Sequence, residues 1–72
     1  MKPDLKRSLT IAGHRTSLSL EPEFWDALTA AARADNKSIA GLVAEIDQFR
    51  DGRNLSSAIR VWLLQRASTT PQ

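Results

Sequence analysis

The absence of cysteine from a chain of 72 residues is the feature that most limits how it can fold. A domain this short buries only about 60% of the surface that its unfolded chain exposes, so its own core gives marginal stability. Small domains usually gain stability from disulfides, a bound metal or a second subunit. Without cysteine there are no disulfides, and His14, the single histidine, makes a zinc site only with several carboxylates beside it. The sequence therefore predicts one domain that associates with a second copy of itself and uses no metal or other cofactor.

Hydropathy gives no sign of a membrane protein. No apolar run approaches the roughly 20 residues of a membrane-spanning helix. Residues 1–6 lack the apolar core of a signal peptide. We therefore expect a cytoplasmic protein with no membrane partner.

The net charge of +2 is distributed unevenly along the chain. Residues 1–20 carry +3, residues 21–52 carry −4 and residues 53–72 carry +3. A basic N-terminal segment is typical of proteins that contact nucleic acid. A solvated arm without a partner has the same composition, so charge alone leaves both interpretations open.

A short strand is predicted between residues 15 and 20, where polar and apolar residues alternate. Successive side chains of a strand point to opposite faces, so Leu18 and Leu20 share the buried face. The outward residues are then Arg15, Ser17 and Ser19.

Residues 8–11 also alternate, but with the opposite parity, because Leu9 and Ile11 are odd-numbered. One continuous strand would place these residues on the face opposite to Leu18 and Leu20. A type II′ hairpin loop at Gly13-His14 would bring all the apolar residues to one face. The alternative is that residues 1–13 form a mobile basic arm.

Three helices are predicted after the strand. Pro22 suits a first helical turn, while Ser38 and Asn54 are good N-caps for the second and third helices. Residues 68–72 are expected to be a disordered tail. The apolar stripes are Phe24, Trp25, Leu28, Ala31 and Ala32 on the first helix, Ile39, Leu42, Val43, Ile46 and Phe49 on the second, and Leu55, Ile59, Trp62 and Leu63 on the third.

This order of elements resembles the ribbon–helix–helix family of bacterial DNA-binding proteins, the group of the Arc and MetJ repressors. The matching segments are the strand at residues 15–20, the helix opening at residues 22–25, the turn at residues 36–38 and the second helix at residues 39–46. The resemblance covers roughly residues 14–50. A short subfamily with a further C-terminal helix is also similar, through residues 54–60.

The resemblance implies a mainly α fold with a short β-ribbon. In the family, two chains form an intertwined homodimer in which the ribbon strand pairs antiparallel with its twin. Here residues 14–67 would form that ribbon–helix–helix domain, with an additional third helix. The resemblance and the apolar stripes assign the dimer core to Leu18, Leu20, Trp25, Leu28, Leu42, Val43 and Ile46.

The resemblance also implies how double-stranded DNA would be bound. A two-stranded ribbon fits the major groove, which is about 12 Å wide, and its outward side chains read base edges. Arg15 would read guanine through O6 and N7, with Ser17 and Ser19 as weaker readers. If residues 8–11 joined as a hairpin, the dimer sheet would have four strands and be too wide for the groove. The expected phosphate contacts are Lys6, Arg7, His14, Lys37, Ser38 and Ile39.

The sequence thus predicts a sequence-specific, DNA-binding transcriptional regulator that acts as a homodimer. The alternative is a dimeric protein-interaction module or antitoxin-like adaptor that does not bind DNA through the ribbon and docks a partner through residues 54–67. An enzyme is not expected, because Ser56 and Ser57 lack a nucleophile motif around them and His14 lacks catalytic partners.

Overall fold

The computed structural model describes residues 5–69, which form a two-stranded antiparallel sheet and three helices. The helices supply most of the residues, so the predicted mainly α fold with a short β-ribbon is confirmed. Within the described part of the chain, no helix is long and apolar enough to cross a membrane. The elements are β1 (Leu5–Ile11), β2 (His14–Leu20), α1 (Pro22–Ala34), α2 (Ile39–Gln48) and α3 (Leu55–Thr69).

The two strands form a hairpin within one chain. Its loop is Ala12-Gly13, and both residues have positive φ, at 52° and 82°. Positive φ at both central residues is the pattern of a type I′ turn, whose twist matches that of the flanking strands. The expected loop at Gly13-His14 was therefore wrong by one residue, because Gly13 takes the second central position instead of the first. The segment before Gly13 therefore forms a strand of the hairpin, which was one of the two expectations, the other being a mobile basic arm.

The hairpin register explains the change in parity along the sequence. Ile11 lies opposite His14, Leu9 opposite Thr16, and this pairing continues to the strand ends. Residues directly opposite each other share a face of the sheet. Odd-numbered residues of β1 therefore lie on the same face as even-numbered residues of β2. This inner face packs against the helices, and the other face is polar.

One hydrophobic core lies between the inner face of the hairpin and the three helices. The seven residues predicted for a dimer core are all buried within this single chain. Their contribution to an interface between two chains remains a prediction. Phe49, expected on the buried stripe of α2, is 77% exposed. The buried residues are Ile11, Leu18, Leu20, Trp25, Leu28, Ala31, Ala32, Leu42, Val43, Ile46, Ala58, Ile59 and Leu63.

The helix starts follow the predicted signals. Pro22 is the first residue of α1, and the Ser38 hydroxyl accepts a hydrogen bond of 2.9 Å from the Gly41 N–H. The Asn54 side chain accepts one of 2.8 Å from the Ser57 N–H. The last helix runs to Thr69, so it includes the first two residues of the predicted tail. Residues 70–72 lie outside the described part of the chain.

Candidate nucleic-acid interface

The face of the hairpin that points away from the helices is called the outer face. It carries hydroxyl groups and cations and no acidic residue. Because side chains alternate along a strand, this face takes the even residues of β1 and the odd residues of β2. Its cross-strand pairs are Lys6 with Ser19, Ser8 with Ser17, and Thr10 with Arg15.

Five of the six outer-face side chains are exposed, and Ser19 is half-buried. Lys6 and Arg15 make no ion pair within residues 5–69, so both cations face solvent. Arg15 lies opposite Thr10, four residues along β1 from Lys6. At about 3.3 Å per residue, the two cations are about 13 Å apart along the strand direction. The outer face is therefore a narrow polar ribbon with a positive charge near each end.

The structure brings the three predicted base readers, Arg15, Ser17 and Ser19, onto one surface. Lys6, expected as a phosphate contact, lies on the same surface. Sequence reasoning missed Ser8 and Thr10, which join the outer face through β1. The alternation of residues 8–11 was the available signal, but only the hairpin pairing assigns these two hydroxyl groups to that side.

Arg7 and His14, two of the expected phosphate contacts, do not lie on the outer face. Arg7 lies on the inner face of the hairpin, and its guanidinium carbon is 4.6 Å from the ring centroid of Trp25. The indole N–H of Trp25 donates a hydrogen bond of 2.9 Å to the Leu5 carbonyl, so this tryptophan holds the start of β1. His14 lies beside the turn, where it lines a shallow pocket with Asp47.

The start of α2 belongs to the helical layer, away from the outer face. Lys37 forms an ion pair with Glu45, so its charge is balanced within the chain. The Ser38 hydroxyl is engaged as a helix cap, and a Cβ on Gly41 would lie 3.0 Å from that oxygen. Because Gly41 has no side chain, the Ser38 hydroxyl has space to accept the hydrogen bond that caps the helix. Ile39 is half-buried behind it. The structure does not bring these expected phosphate contacts together with Arg15.

The basic C-terminal segment is also largely balanced within the chain. Arg60 Nε donates a hydrogen bond of 2.9 Å to Glu21, and this bond lowers the pKa of that carboxyl. Arg66 donates two hydrogen bonds to Asp35, which lower the pKa of Asp35 and raise the pKa of Arg66. These arginines hold α3 against the two ends of α1. Among residues 5–69, no group of acidic, histidine or cysteine side chains could hold a metal ion.

Comparison with known protein families agrees with this architecture. The model of the ribbon-helix-helix domain matches residues 5–67, which include both strands and nearly all of α3. The chain belongs to the ribbon-helix-helix family. The search of curated proteins and the search of solved structures found no match. Members of this family are generally DNA-binding transcription regulators or antitoxins, and they typically bind DNA as dimers.

Proposed function

We propose that this protein is a sequence-specific DNA-binding transcriptional regulator that places the outer face of its hairpin in the major groove. The observation that carries the proposal is a surface on a two-stranded ribbon that bears hydroxyl groups and two cations, neither of which forms an ion pair within residues 5–69. Neighbouring strands are about 4.8 Å apart, so one hairpin is narrow enough for a groove about 12 Å wide. We expect this activity in the cytoplasm of a bacterium.

One chain supplies the whole ribbon in this proposal. The sequence alone suggested that β2 needs the β2 of a second chain, but β1 already pairs with it. A sheet of four strands would be too wide for the groove, whereas a single hairpin is not. Readout by the hairpin therefore does not require two strands from two subunits.

The outer-face side chains have different chemical roles. The guanidinium of Arg15 can donate two hydrogen bonds to O6 and N7 of a guanine, the commonest specific contact in the major groove. Ser8, Thr10 and Ser17 have short hydroxyl groups that donate to or accept from several bases, so they discriminate weakly. Lys6, at the far end of the ribbon, suits a phosphate as a point charge.

The start of α2 is a second, weaker candidate for phosphate contact. The backbone amides of Ile39 and Ala40 and the positive end of the helix dipole attract anions. Lys37 would add a cation only by leaving Glu45. The substitution Glu45→Gln would remove this ion pair and leave Lys37 available for a phosphate, so we expect it to strengthen DNA binding.

A mobility-shift assay tests the proposal. Duplexes are first selected from a random pool with the wild-type protein, and their affinities for the Arg15→Ala and Arg53→Ala variants are then measured. Arg53→Ala is the control, because it removes the same charge from an exposed site between α2 and α3. Loss of a bidentate guanine contact costs about 1–3 kcal/mol, so we expect Arg15→Ala to bind about 5- to 150-fold more weakly. Equal weakening by both substitutions, or no salt-dependent binding by the wild type, would contradict the proposal.

A protein-interaction function is the second candidate, and one observation favours it. Leu64 is 66% exposed on α3, beside a groove of about 390 Å³ between α1 and α3. The groove is lined mainly by apolar side chains, among them Phe24, Val61 and Ala67. A partner that copurifies in fixed stoichiometry with the wild type and Arg15→Ala, but not with Leu64→Ser, would support an antitoxin-like adaptor. Retention of that partner by Leu64→Ser would exclude this groove.

A further inference from the structure

We propose that α3 sets the orientation of the hairpin on the helical layer, and that Ser56 is the residue through which it does so. In this proposal Ser56 does not contact DNA. It is a positioning residue that acts through Ser19. The inference rests on the proposed function, because the orientation of the hairpin affects DNA recognition only if the outer face is placed against the bases.

The carbonyl of Ser19 has no partner in the hairpin ladder. Because the loop has two residues, Ile11 and His14 form the first hydrogen-bonded pair, and the two kinds of pair then alternate along the strands. Ser19 and Lys6 are therefore a non-hydrogen-bonded pair, in which the backbone groups point away from the neighbouring strand. The Ser56 hydroxyl donates a hydrogen bond of 2.8 Å to this carbonyl, across 37 positions of the chain. The bond joins the end of β2 to the start of α3.

A second contact comes from the same face of α3. Ser56 and Arg60 are four residues apart, so they are neighbours on one face of the helix. Ser56 donates its hydrogen bond to Ser19, and Arg60 donates one of 2.9 Å to Glu21. These two acceptors lie on either side of Leu20, which is 0% exposed. The start of α3 therefore holds the segment where β2 ends and α1 begins.

The other strand is held at the same end of the hairpin, which is the end away from the loop. The indole N–H of Trp25, on α1, donates a hydrogen bond of 2.9 Å to the Leu5 carbonyl, beside the residue that lies opposite Ser19. Within residues 5–69, no side chain donates a hydrogen bond to the backbone of residues 10–15. The hairpin is therefore fixed by side chains at its open end, whereas the loop end, which carries Arg15, has no such bond.

A small tilt at the fixed end displaces the loop end by a distance that matters for base contacts. Arg15 lies four residues from Ser19 along β2, which is about 13 Å at about 3.3 Å per residue. A tilt of about 10° at Ser19 would therefore move Arg15 by about 2 Å, whereas specific contacts need positions held to within about 0.5 Å. Lys6, opposite Ser19, would move little. Loss of the Ser56 bond should thus weaken base reading more than the general attraction for DNA.

Three substitutions test the role of the Ser56 hydroxyl in DNA recognition. Ser56→Ala removes the donor and Ser56→Thr keeps it. Ser57→Ala is the matched control, because the Ser57 hydroxyl makes no hydrogen bond within residues 5–69. Each protein is titrated with a duplex selected by the wild type and with a scrambled duplex. We expect Ser56→Ala to lose about 5-fold or more of the preference for the selected duplex, and the other two variants to keep it.

The affinity for the scrambled duplex separates positioning from a purely structural role. If the hydroxyl positions the hairpin, Ser56→Ala should bind the scrambled duplex as well as the wild type does, since phosphate contacts demand less exact geometry. Equal weakening on both duplexes would overturn the inference. A full preference for the selected duplex in Ser56→Ala would also overturn it and would leave the proposed function standing.

Hydrogen exchange of the free protein supplies a readout without DNA. The Leu20 amide belongs to the hydrogen-bonded pair at the open end, and the His14 amide to the pair beside the loop. We expect the Leu20 amide to exchange about 5-fold faster in Ser56→Ala than in Ser57→Ala, with the His14 amide unchanged. Equal exchange of Leu20 in the two variants would overturn the inference alone. A wild type that does not distinguish the two duplexes would contradict the proposed function, and the inference with it.

Discussion

The guanidinium of Arg66 donates hydrogen bonds of 3.0 and 2.9 Å to the two carboxylate oxygens of Asp35. This bidentate pair joins the last helix to the residue that ends α1, 31 positions earlier in the chain. A bidentate pair between a planar guanidinium and a carboxylate fixes the relative orientation of the two groups and also balances their charges. The pair therefore fixes the far end of α3, while Arg60 and Glu21 fix its beginning.

Stability should fall in acid in a way that depends on Asp35. The hydrogen bonds from Arg66 lower the pKa of Asp35 from its ordinary value of 3.8, so the unfolded chain binds the proton more tightly. The stabilisation is fully present above that ordinary value and is lost as the pH falls through the lower folded-state pKa. We expect Asp35→Asn to be less stable than the wild type at pH 7, with a difference that shrinks as the pH falls below 3.8.

Urea unfolding across this pH range measures the difference. Asp26→Asn is the control, since Asp26 is exposed on the same helix. A stability difference between Asp35→Asn and the wild type that did not change with pH would show that the carboxylate charge is not responsible.

Replacing Ala12 with asparagine should stabilise the hairpin. Ala12 has a φ of 52°, which costs most L-residues about 1–2 kcal/mol, whereas asparagine tolerates this region and Asn-Gly is the preferred type I′ pair. We expect Ala12→Asn to raise the free energy of unfolding by about 0.5–1 kcal/mol. Gly13→Ala, at a φ of 82°, should lower it by about 1–2 kcal/mol. A destabilised Ala12→Asn in urea unfolding would argue against this turn.

The indole of Trp25 should be needed to hold the start of β1. Trp25→Phe keeps an aromatic ring but removes the donor to the Leu5 carbonyl, and loss of one such hydrogen bond costs about 1 kcal/mol. We expect faster hydrogen exchange of the β1 amides that pair with β2, with little change in α3. Trp62→Phe is the control, and equal effects of both substitutions on β1 exchange would contradict this role.

The sequence predicted the elements well and the pairing of the first strand poorly. Leu18 and Leu20 marked β2, and the caps at Ser38 and Asn54 marked the starts of α2 and α3. The loop was misplaced because alanine has no preference for positive φ, so nothing local marks Ala12 as a turn residue. Phe49 follows the helical spacing, but α2 ends at Gln48 and the phenylalanine side chain is exposed.

The candidate site was predicted in part for the same reason. Alternation within one strand is local, so Arg15, Ser17 and Ser19 could be assigned to an outward face from the sequence. Ser8 and Thr10 depend on a pairing between strands, which a single sequence leaves open. The charge balance of Arg60 and Arg66 was also missed, because their partners lie more than 30 residues earlier.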